Sequence, residues 1–386
     1  MGSLVRIMNI SIIVVFLAML IIPFLFVDLG TSRVSIKENR MLAERPRIAD
    51  IKNNPETFIR EFDVWFKDST GFRENLITIH GLIDKNSWIN GVRYEIGQFV
   101  YLVGKEGHHY CADINGSLIP KFQGKKIFSG DQLSSMSNKI EEVKTYLEAR
   151  NIPLIIMFCT DKESVYPEFY PRSITRGPEP IQLDLITTYL KENTGVDVFN
   201  IRKALLAQKN NFLTYPLVDN PLFYSGYLHY NEIGAFFAYR ELMRHINAYF
   251  PDIKPYEIDD VDITYDEKEN PIVSLRKATY KKLDSSFFDD VDYNIQFSWG
   301  NEAYENLGQD APAILFFRDS YALENYLGKY FSQHFKKTIF IHFFNFKNIY
   351  DYVEKYNPDI VVFECAERGI EQFYNFIQVI PELSIN

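Results

Sequence analysis

Four short apolar runs constrain this chain more than any other feature: PLIIMFC at 153–159, AILFF at 313–317, TIFIHFF at 338–344 and DIVVFEC at 359–365. They show no polar alternation, so both faces of each must be covered, as in the strands of a buried parallel sheet. Helical periodicity lies between and before them, at 131–150, 181–193, 231–250, 321–333 and 347–356, with a further short strand at 196–199. Residues 251–300 read as acidic and loop-rich. The expected fold class is α/β: βαβ units building a parallel sheet flanked by helices.

The N-terminus is organised differently. Residues 10–27, ISIIVVFLAMLIIPFLFV, form an uncharged run just long enough to span a hydrocarbon core as a helix. Arg6 precedes it and no A-x-A cleavage site follows, which favours an uncleaved signal anchor over a removed signal peptide. The predicted order is a short tail (1–9), a transmembrane anchor (10–27), a membrane-proximal helical segment (28–98) and one large domain (99–386). Within the membrane-proximal segment, 55–92 read as helical; 99–103 read as a strand and 104–107 as a turn. Arg33, Lys37, Arg40, Arg45 and Arg47 follow the anchor, and by charge count alone they would hold the large domain in the cytoplasm. Long domains after a first helix, however, translocate largely regardless of charge.

Charge and cysteine usage exclude several function classes. The net charge is −10 and no local basic patch offsets it, which argues against nucleic acid as a partner. The 3 cysteines, Cys111, Cys159 and Cys365, make no disulfide framework or zinc pattern. His108, His109 and Cys111 lack a second half-site for zinc, so no metal is expected. Neither a Walker A sequence nor a dinucleotide-binding glycine pattern occurs, and no cofactor is expected.

Chemistry is expected at the carboxyl ends of the parallel strands, where open α/β sheets bind ligands. The run 313–317 ends in Arg318-Asp319-Ser320, directly before a predicted helix. That position suits a serine nucleophile, with helix N–H groups aimed at a developing oxyanion. It equally suits Asp319 or Ser320 as an ordinary helix N-cap. A serine nucleophile needs a base. Among the 7 histidines, His229 stands in a loop, YSGYLHY, immediately before a helix opened by Asn231.

Read together, these residues resemble the alginate O-acetyltransferases of the AlgJ/AlgX type, SGNH-hydrolase-like proteins, and their DHHW relatives. Glu38-Asn39-Arg40 with Leu42 and Pro46 is similar to the ENR-x-L…P opening of that family. Phe66, Asp68, Gly71, Phe72, Arg73 and Glu74 are similar to its WF-x-D…G-F-R-E segment, and Gly104 to Gly107 match its G-K-x-G turn. Lys162, Tyr166 and Pro167 resemble its K-x-x-x-Y-P loop. His229, Asn231 and Gly234 match the D-x-H-W-N-x-x-G block, and Arg318 to Tyr321 the (G/R)-D-S-(F/Y) block. Glu364, Glu367 and Arg368 follow its E-x-x-E-R.

The resemblance implies an SGNH-hydrolase-like domain with circularly permuted motif order, His229 preceding Ser320 in the chain. It implies Ser320 as acyl nucleophile and His229 as general base, moving acetyl groups onto a cell-surface or secreted polysaccharide. A membrane-bound O-acyltransferase would deliver the acetyl group. The protein would sit in the cytoplasmic membrane as a single-pass protein, its main domain extracytoplasmic, periplasmic or at the cell surface. The segment after the last predicted strand leaves no expected place for the extra carbohydrate-binding domain of some relatives. Two departures stand out. Tyr227 occupies the place of the triad aspartate, and Tyr230 that of the tryptophan after the histidine. Loss of the triad acid can cost about 10⁴ in rate. Asp219, Asp161 and Glu367 are the candidate replacements. Arg318, Asp319, Tyr227, Lys162, Tyr166, Tyr326 and Arg368 are candidates for substrate or oxyanion contact, and Arg318 and Arg368 could instead pair with Asp319 and Glu367. A catalytically weakened or inactive glycan-binding assembly protein and an acetyl-esterase remain alternatives, because water exclusion decides between transfer and hydrolysis.

Overall fold

The computed structural model describes residues 16–17, 21, 25–27, 34–35, 40–41, 43, 45–47, 51, 55–71, 93–96, 99–113, 118–125, 128–209, 222–267, 270–276, 280–284, 287–288, 301–306, 310–323 and 327–382. Two compact units divide the chain, residues 1–90 and 91–386. Most of the apolar run 10–27 lies outside the described residues, and among those described no helix is long and apolar enough to cross a membrane. In the first unit, helix α1 (Pro55–Ser69) buries Trp65 and caps the stretch around residue 43 through Asp68, whose Oδ2 accepts the Ala43 N–H at 2.8 Å. It covers the first part of the predicted 55–92 helix; residues 72–92 lie outside the described residues.

The second unit begins with a three-stranded antiparallel sheet, β1 (Arg93–Ile96), β2 (Phe99–Val103) and β3 (His109–Asp113). Because β1 pairs directly with β2, this unit starts before residue 99. After the short helix α2 (Leu118–Phe122) the α/β alternation sets in: α3 (Gly130–Glu148), β4 (Leu154–Cys159), α4 (Lys162–Val165), α5 (Gln182–Asn193), β5 (Asp197–Asn200), α6 (Arg202–Lys209) and α7 (Glu232–Asn247). The stretch expected to be loop carries a hairpin, β6 (Val261–Tyr265) with β7 (Pro271–Leu275), and two edge strands, β8 (Lys281–Lys282) and β9 (Glu302–Glu305). Their alternation of buried and exposed residues (Val261 in, Asp262 out) is a one-sided pattern that a search for continuous apolar runs passes over. Then follow β10 (Ala313–Arg318), α8 (Lys329–His334), β11 (Lys337–His342), α9 (Ile349–Tyr356), β12 (Ile360–Ala366) and α10 (Ile370–Ile377).

The main sheet has 7 strands in the order β8-β9-β11-β10-β12-β4-β5. Pairs from β11 to β5 are parallel, and β8 and β9 add an antiparallel edge. Side-chain alternation sorts each apolar run between two cores. Ile155, Met157, Ile314, Phe316 and Val362 face a cluster with Ile233, Phe236 and Tyr239 of α7. Leu154, Ile156, Phe158, Leu315, Phe317, Val361 and Phe363 face the other, with α3, α5 and α10. The runs are uniformly apolar because both faces are covered.

Three neighbouring strands, β10, β12 and β4, end at the same edge. Their next residues are Asp319-Ser320, Glu367-Arg368 and Thr160-Asp161-Lys162. The predicted helix 321–333 is not continuous. A single 3-10 turn, Ser320–Ala322, follows the strand, and α8 starts only at Lys329. Asp319 takes the cap position and ends the strand, its side chain accepting the Tyr321 N–H at 2.7 Å.

Helix α7 starts from a tightly folded loop. Asn231 caps it, its Oδ1 accepting the N–H groups of Ile233 and Gly234 at 3.0 Å each. The Asn231 N–H in turn donates to the Leu222 carbonyl at 2.9 Å. Gly234 has to be glycine, because a Cβ there would lie 2.2 Å from the Leu222 oxygen and 2.8 Å from the Tyr230 Cβ. Gly234→Ala is expected to cost about 1–3 kcal/mol in stability, as overpacking against backbone does. Thermal unfolding measures it; a melting temperature equal to wild type would show that the loop yields.

Candidate active site

The end of β10 is fixed by its neighbours. Asp319 accepts the Tyr321 N–H through Oδ1 and the Ala366 N–H through Oδ2, both at 2.7 Å, tying β10 to the end of β12. Its own N–H donates to Glu364 Oε2 at 3.1 Å. Burial pushes both carboxyls up, and at Glu364 the Asp319 charge beside it adds to the rise. Ser320 projects from this clamped turn and is 6% exposed.

Over it lies the loop 224–230. The His229 Nε2 stands 2.7 Å from the Ser320 Oγ, although 91 positions separate the residues in the chain. The imidazole is sandwiched between two tyrosine rings, Tyr227 at 4.9 Å and Tyr321 at 4.7 Å between centroids. Burial and then the nearby Arg368 charge hold its pKa well below the ordinary 6.5. The ring is therefore neutral, and with Nε2 unprotonated it can accept the serine proton.

What fixes the loop is one ammonium group. Lys162, only 1% exposed, donates from Nζ to the carbonyls of Tyr224, Ser225 and Tyr227, each at 2.8 Å. The Tyr110 ring lies 5.1 Å from that nitrogen. From the small sheet, the His109 N–H also donates to the Ser225 carbonyl at 2.8 Å. Tyr321 closes the far side. Its hydroxyl lies 3.0 Å from the Leu228 carbonyl, 3.2 Å from Asp161 Oδ1 and 3.1 Å from Arg368 Nη1. Asp161 and Arg368 also form an ion pair. A neutral imidazole beside a serine hydroxyl, on a fixed loop at the carboxyl edge of a parallel sheet, can generate an alkoxide-like nucleophile.

Comparison with known proteins bears on this arrangement. Residues 125–268 match the model of the SGNH hydrolase-like domain of acetyltransferase AlgX. That stretch is similar to an AlgX-type SGNH hydrolase-like domain, and it includes His229 but not Ser320. The fold of the chain is similar to that of Bacillus cereus PatB1, solved with a sulfonyl adduct, at 13% identity and a TM-score of 0.50 over 72% of this chain and 97% of that one. A DHHW family protein from Eubacterium siraeum DSM 15702 aligns at 11% identity and a TM-score of 0.49, over 74% and 96% of the two chains. The O-acetyltransferase domain of Pseudomonas putida AlgJ aligns at 12% identity and a TM-score of 0.43, over 72% and 98%. No curated protein matches the sequence.

Several residues proposed from sequence have other positions in the fold. Asp161 is engaged by Arg368 and the Tyr321 hydroxyl. Glu367 accepts from Thr160 Oγ1 at 3.2 Å, the Asp161 N–H at 3.1 Å and Ser164 Oγ at 3.0 Å. Burial, then Asp161, raises its pKa to about 7. Asp219 and Tyr326 lie outside the described residues. Arg318 is buried beneath the sheet edge and pairs with Glu302 of β9 at 3.0 Å, rather than with the Asp319 carboxylate. Arg368 pairs with Asp161 and not with Glu367, its neighbour in the chain. Lys162 and Tyr166 do not line a cleft: Lys162 is beneath the histidine loop, and Tyr166 is core, edge-on to Phe223 at 6.0 Å. His108 stacks on Phe169 at 4.0 Å, and burial lowers its pKa to about 3.

Sequence reasoning overlooked Tyr321 and Glu364 as site residues. The aromatic after the serine was the available signal for the first; a carboxylate within an otherwise apolar run was the signal for the second.

Lys162→Met removes the donor shared by three loop carbonyls. A loss of about 3 kcal/mol or more in stability is expected, together with faster amide exchange in 222–231. Chemical denaturation and hydrogen exchange measure the two; unchanged protection in that segment would show that the ammonium does not fasten the loop.

Proposed function

We propose that this protein is an O-acetyltransferase that carries acetyl on Ser320 and passes it to a polysaccharide hydroxyl. The 2.7 Å contact between His229 Nε2, which lies in the stretch similar to the AlgX domain, and Ser320 Oγ, which lies beyond it, supports this reading above all. As His229 takes its proton, the serine oxygen attacks the acetyl carbonyl. The bond to the donor oxygen then breaks, and that oxygen leaves with the proton. In the second half an acceptor hydroxyl gives its proton to the same nitrogen and attacks the acetyl-serine, restoring Ser320. The acetyl donor would be presented by a membrane-bound O-acyltransferase, with residues 10–27 as a single-pass anchor and the large domain outside the cytoplasmic membrane. The apolar, uncharged run supports the anchor, and the outward placement of the domain follows the family resemblance.

Tyr227 favours a second reading. It occupies the place of a triad carboxylate, and both described candidate replacements are engaged elsewhere. A domain that binds glycan without turnover fits those facts.

One experiment separates the two. Wild-type protein exposed to an activated acetyl ester should acquire one acetyl group on the peptide containing Ser320, seen by mass spectrometry, and turn the ester over. Ser320→Ala should lose both, with turnover falling about a thousandfold or more. A wild-type protein that never acetylates leaves only the binding role.

The pH dependence has a defined sign. Because the His229 pKa lies well below 6.5, its basic form persists as pH falls. The acid limb of kcat/KM is therefore expected below pH 6.5, and Arg368→Gln, which removes a repelling charge, should move it upward. A limb that stays put in Arg368→Gln would exclude that charge as a cause.

A further inference from the structure

Beside the proposed catalytic pair lies an open groove of about 570 Å³ that the acetyl-transfer chemistry does not use. One wall is the histidine loop, Tyr224 to Tyr227; the other is the β6–β7 hairpin, with Asp266, Asn270 and Ile272. The groove adjoins the catalytic pair through Tyr227, whose ring borders it and stacks on the His229 imidazole at 4.9 Å. Ser320 and His229 are almost covered, whereas Tyr227 is 47% exposed. The Tyr224 ring meets it edge-on at 6.4 Å, so the pair offers a cornered aromatic surface. At Gly226 an added Cβ would meet nothing within 4 Å, so the loop's crest is open to an incoming molecule.

Among the described residues that line this groove, the ionised side chains have one sign. Its ionisable side chains, besides the tyrosines, are Glu232 and Asp266. Lys329, the cation beside it, is engaged by Glu232 and the Val273 carbonyl at 2.6 Å each. Asp266 is exposed, and it accepts from the Asn270 backbone and side chain at 2.8 and 2.9 Å. Burial, then Glu232 and Asp266, pushes the Tyr224 hydroxyl up to about 12. Clefts lined by one sign concentrate ligands of the other sign and repel their own. An aromatic corner with carboxylate and amide oxygens beside it suits the apolar face and hydroxyl donors of a sugar ring.

We propose that this groove is the acceptor subsite and that it selects a non-acidic glycan, with a sugar ring against Tyr227 and Tyr224 and its hydroxyls on Asp266 and Asn270. A polyuronate is rejected there, its carboxylates facing Asp266 and Glu232. The proposal deepens the acetyl-transfer reading and rests on it for the acceptor's role, but binding is testable without turnover.

The test uses full-length Ser320→Ala in detergent, titrated by calorimetry with cello-, malto- and N-acetylchito-oligosaccharides and with oligomannuronate. At least one non-acidic oligosaccharide is expected to bind, and at least tenfold more tightly than oligomannuronate. Tyr227→Ala in the same background should weaken that binding at least tenfold. Asp266→Lys should narrow or reverse the preference against oligomannuronate. Oligomannuronate binding as well as or better than every neutral glycan would overturn the proposal. So would the absence of binding by the whole non-acidic set, or Tyr227→Ala binding unchanged. Failure of the acetyl-serine experiment with the binding preference intact would instead remove the catalytic reading and keep the subsite.

Discussion

A loop of polar backbone held over a sheet edge needs donors for its carbonyls, and here a single buried lysine supplies three of them. Lys162 emerges two residues after the cap of β4 and reaches the carbonyls of Tyr224, Ser225 and Tyr227. Burying an ammonium is costly unless its hydrogen bonds are satisfied. Here all three of its N–H groups have an acceptor, with the Tyr110 ring alongside. The arrangement makes the cation and the loop depend on each other. Without the loop the charge is stranded; without the lysine the Tyr224 and Tyr227 carbonyls lose their donor, while Ser225 keeps the His109 N–H. His229 then takes its position from a strand end 67 residues earlier in the chain (229 − 162), rather than from its own flanking helix alone.

The serine is held by the same logic with the opposite charge. Asp319 spends both carboxylate oxygens on backbone N–H groups, and its own N–H donates to Glu364, whose carboxyl burial and the Asp319 charge push up. The turn at Ser320 is clamped to β12, and the 3-10 geometry that follows is a consequence of that clamp. Burial of Arg318 against Glu302 ties the same strand end to the antiparallel edge.

The sheet was legible because its strands are buried on both faces. The four apolar runs correspond to β4, β10, β11 and β12, in agreement to within a residue or two at their ends. What was not legible is whatever one-sided burial or capping decides. The hairpin β6–β7 exposes every second residue, and α10, which packs Ile370, Phe373 and Ile377 on the sheet, follows the last apolar run too closely to be separated by eye. At the site, residue type and chain order indicated His229 and Ser320. They could not indicate which partner each charged neighbour takes, since Asp161, Glu367, Arg318 and Arg368 all converge on one edge and pairing is settled in three dimensions. Lys162 was misread for that reason: a lysine in a loop after a strand is usually solvated, and only the returning chain at 224–227 encloses it.

The electrostatics around His229 differ from those of a full triad, and the difference has a direction. A carboxylate behind an imidazole raises its affinity for a proton and steadies the imidazolium that forms during attack. Burial and Arg368 do the reverse. Such a ring is available as a base at nearly any physiological pH, but it holds a captured proton weakly and returns it readily. For an acyl carrier this shifts the balance between the two half-reactions. In the proposed reaction attack by Ser320 would be slowed, while delivery of the proton to the departing oxygen would be helped. An acetyl donor that is already activated, and handed over directly, compensates for the first effect. The weak base also has a consequence for water: a hydroxyl must be well positioned to be deprotonated by it. In the proposed reaction a loosely held water would therefore compete poorly with a sugar hydroxyl fixed against Tyr227, and the lowered basicity of the ring would favour transfer over hydrolysis.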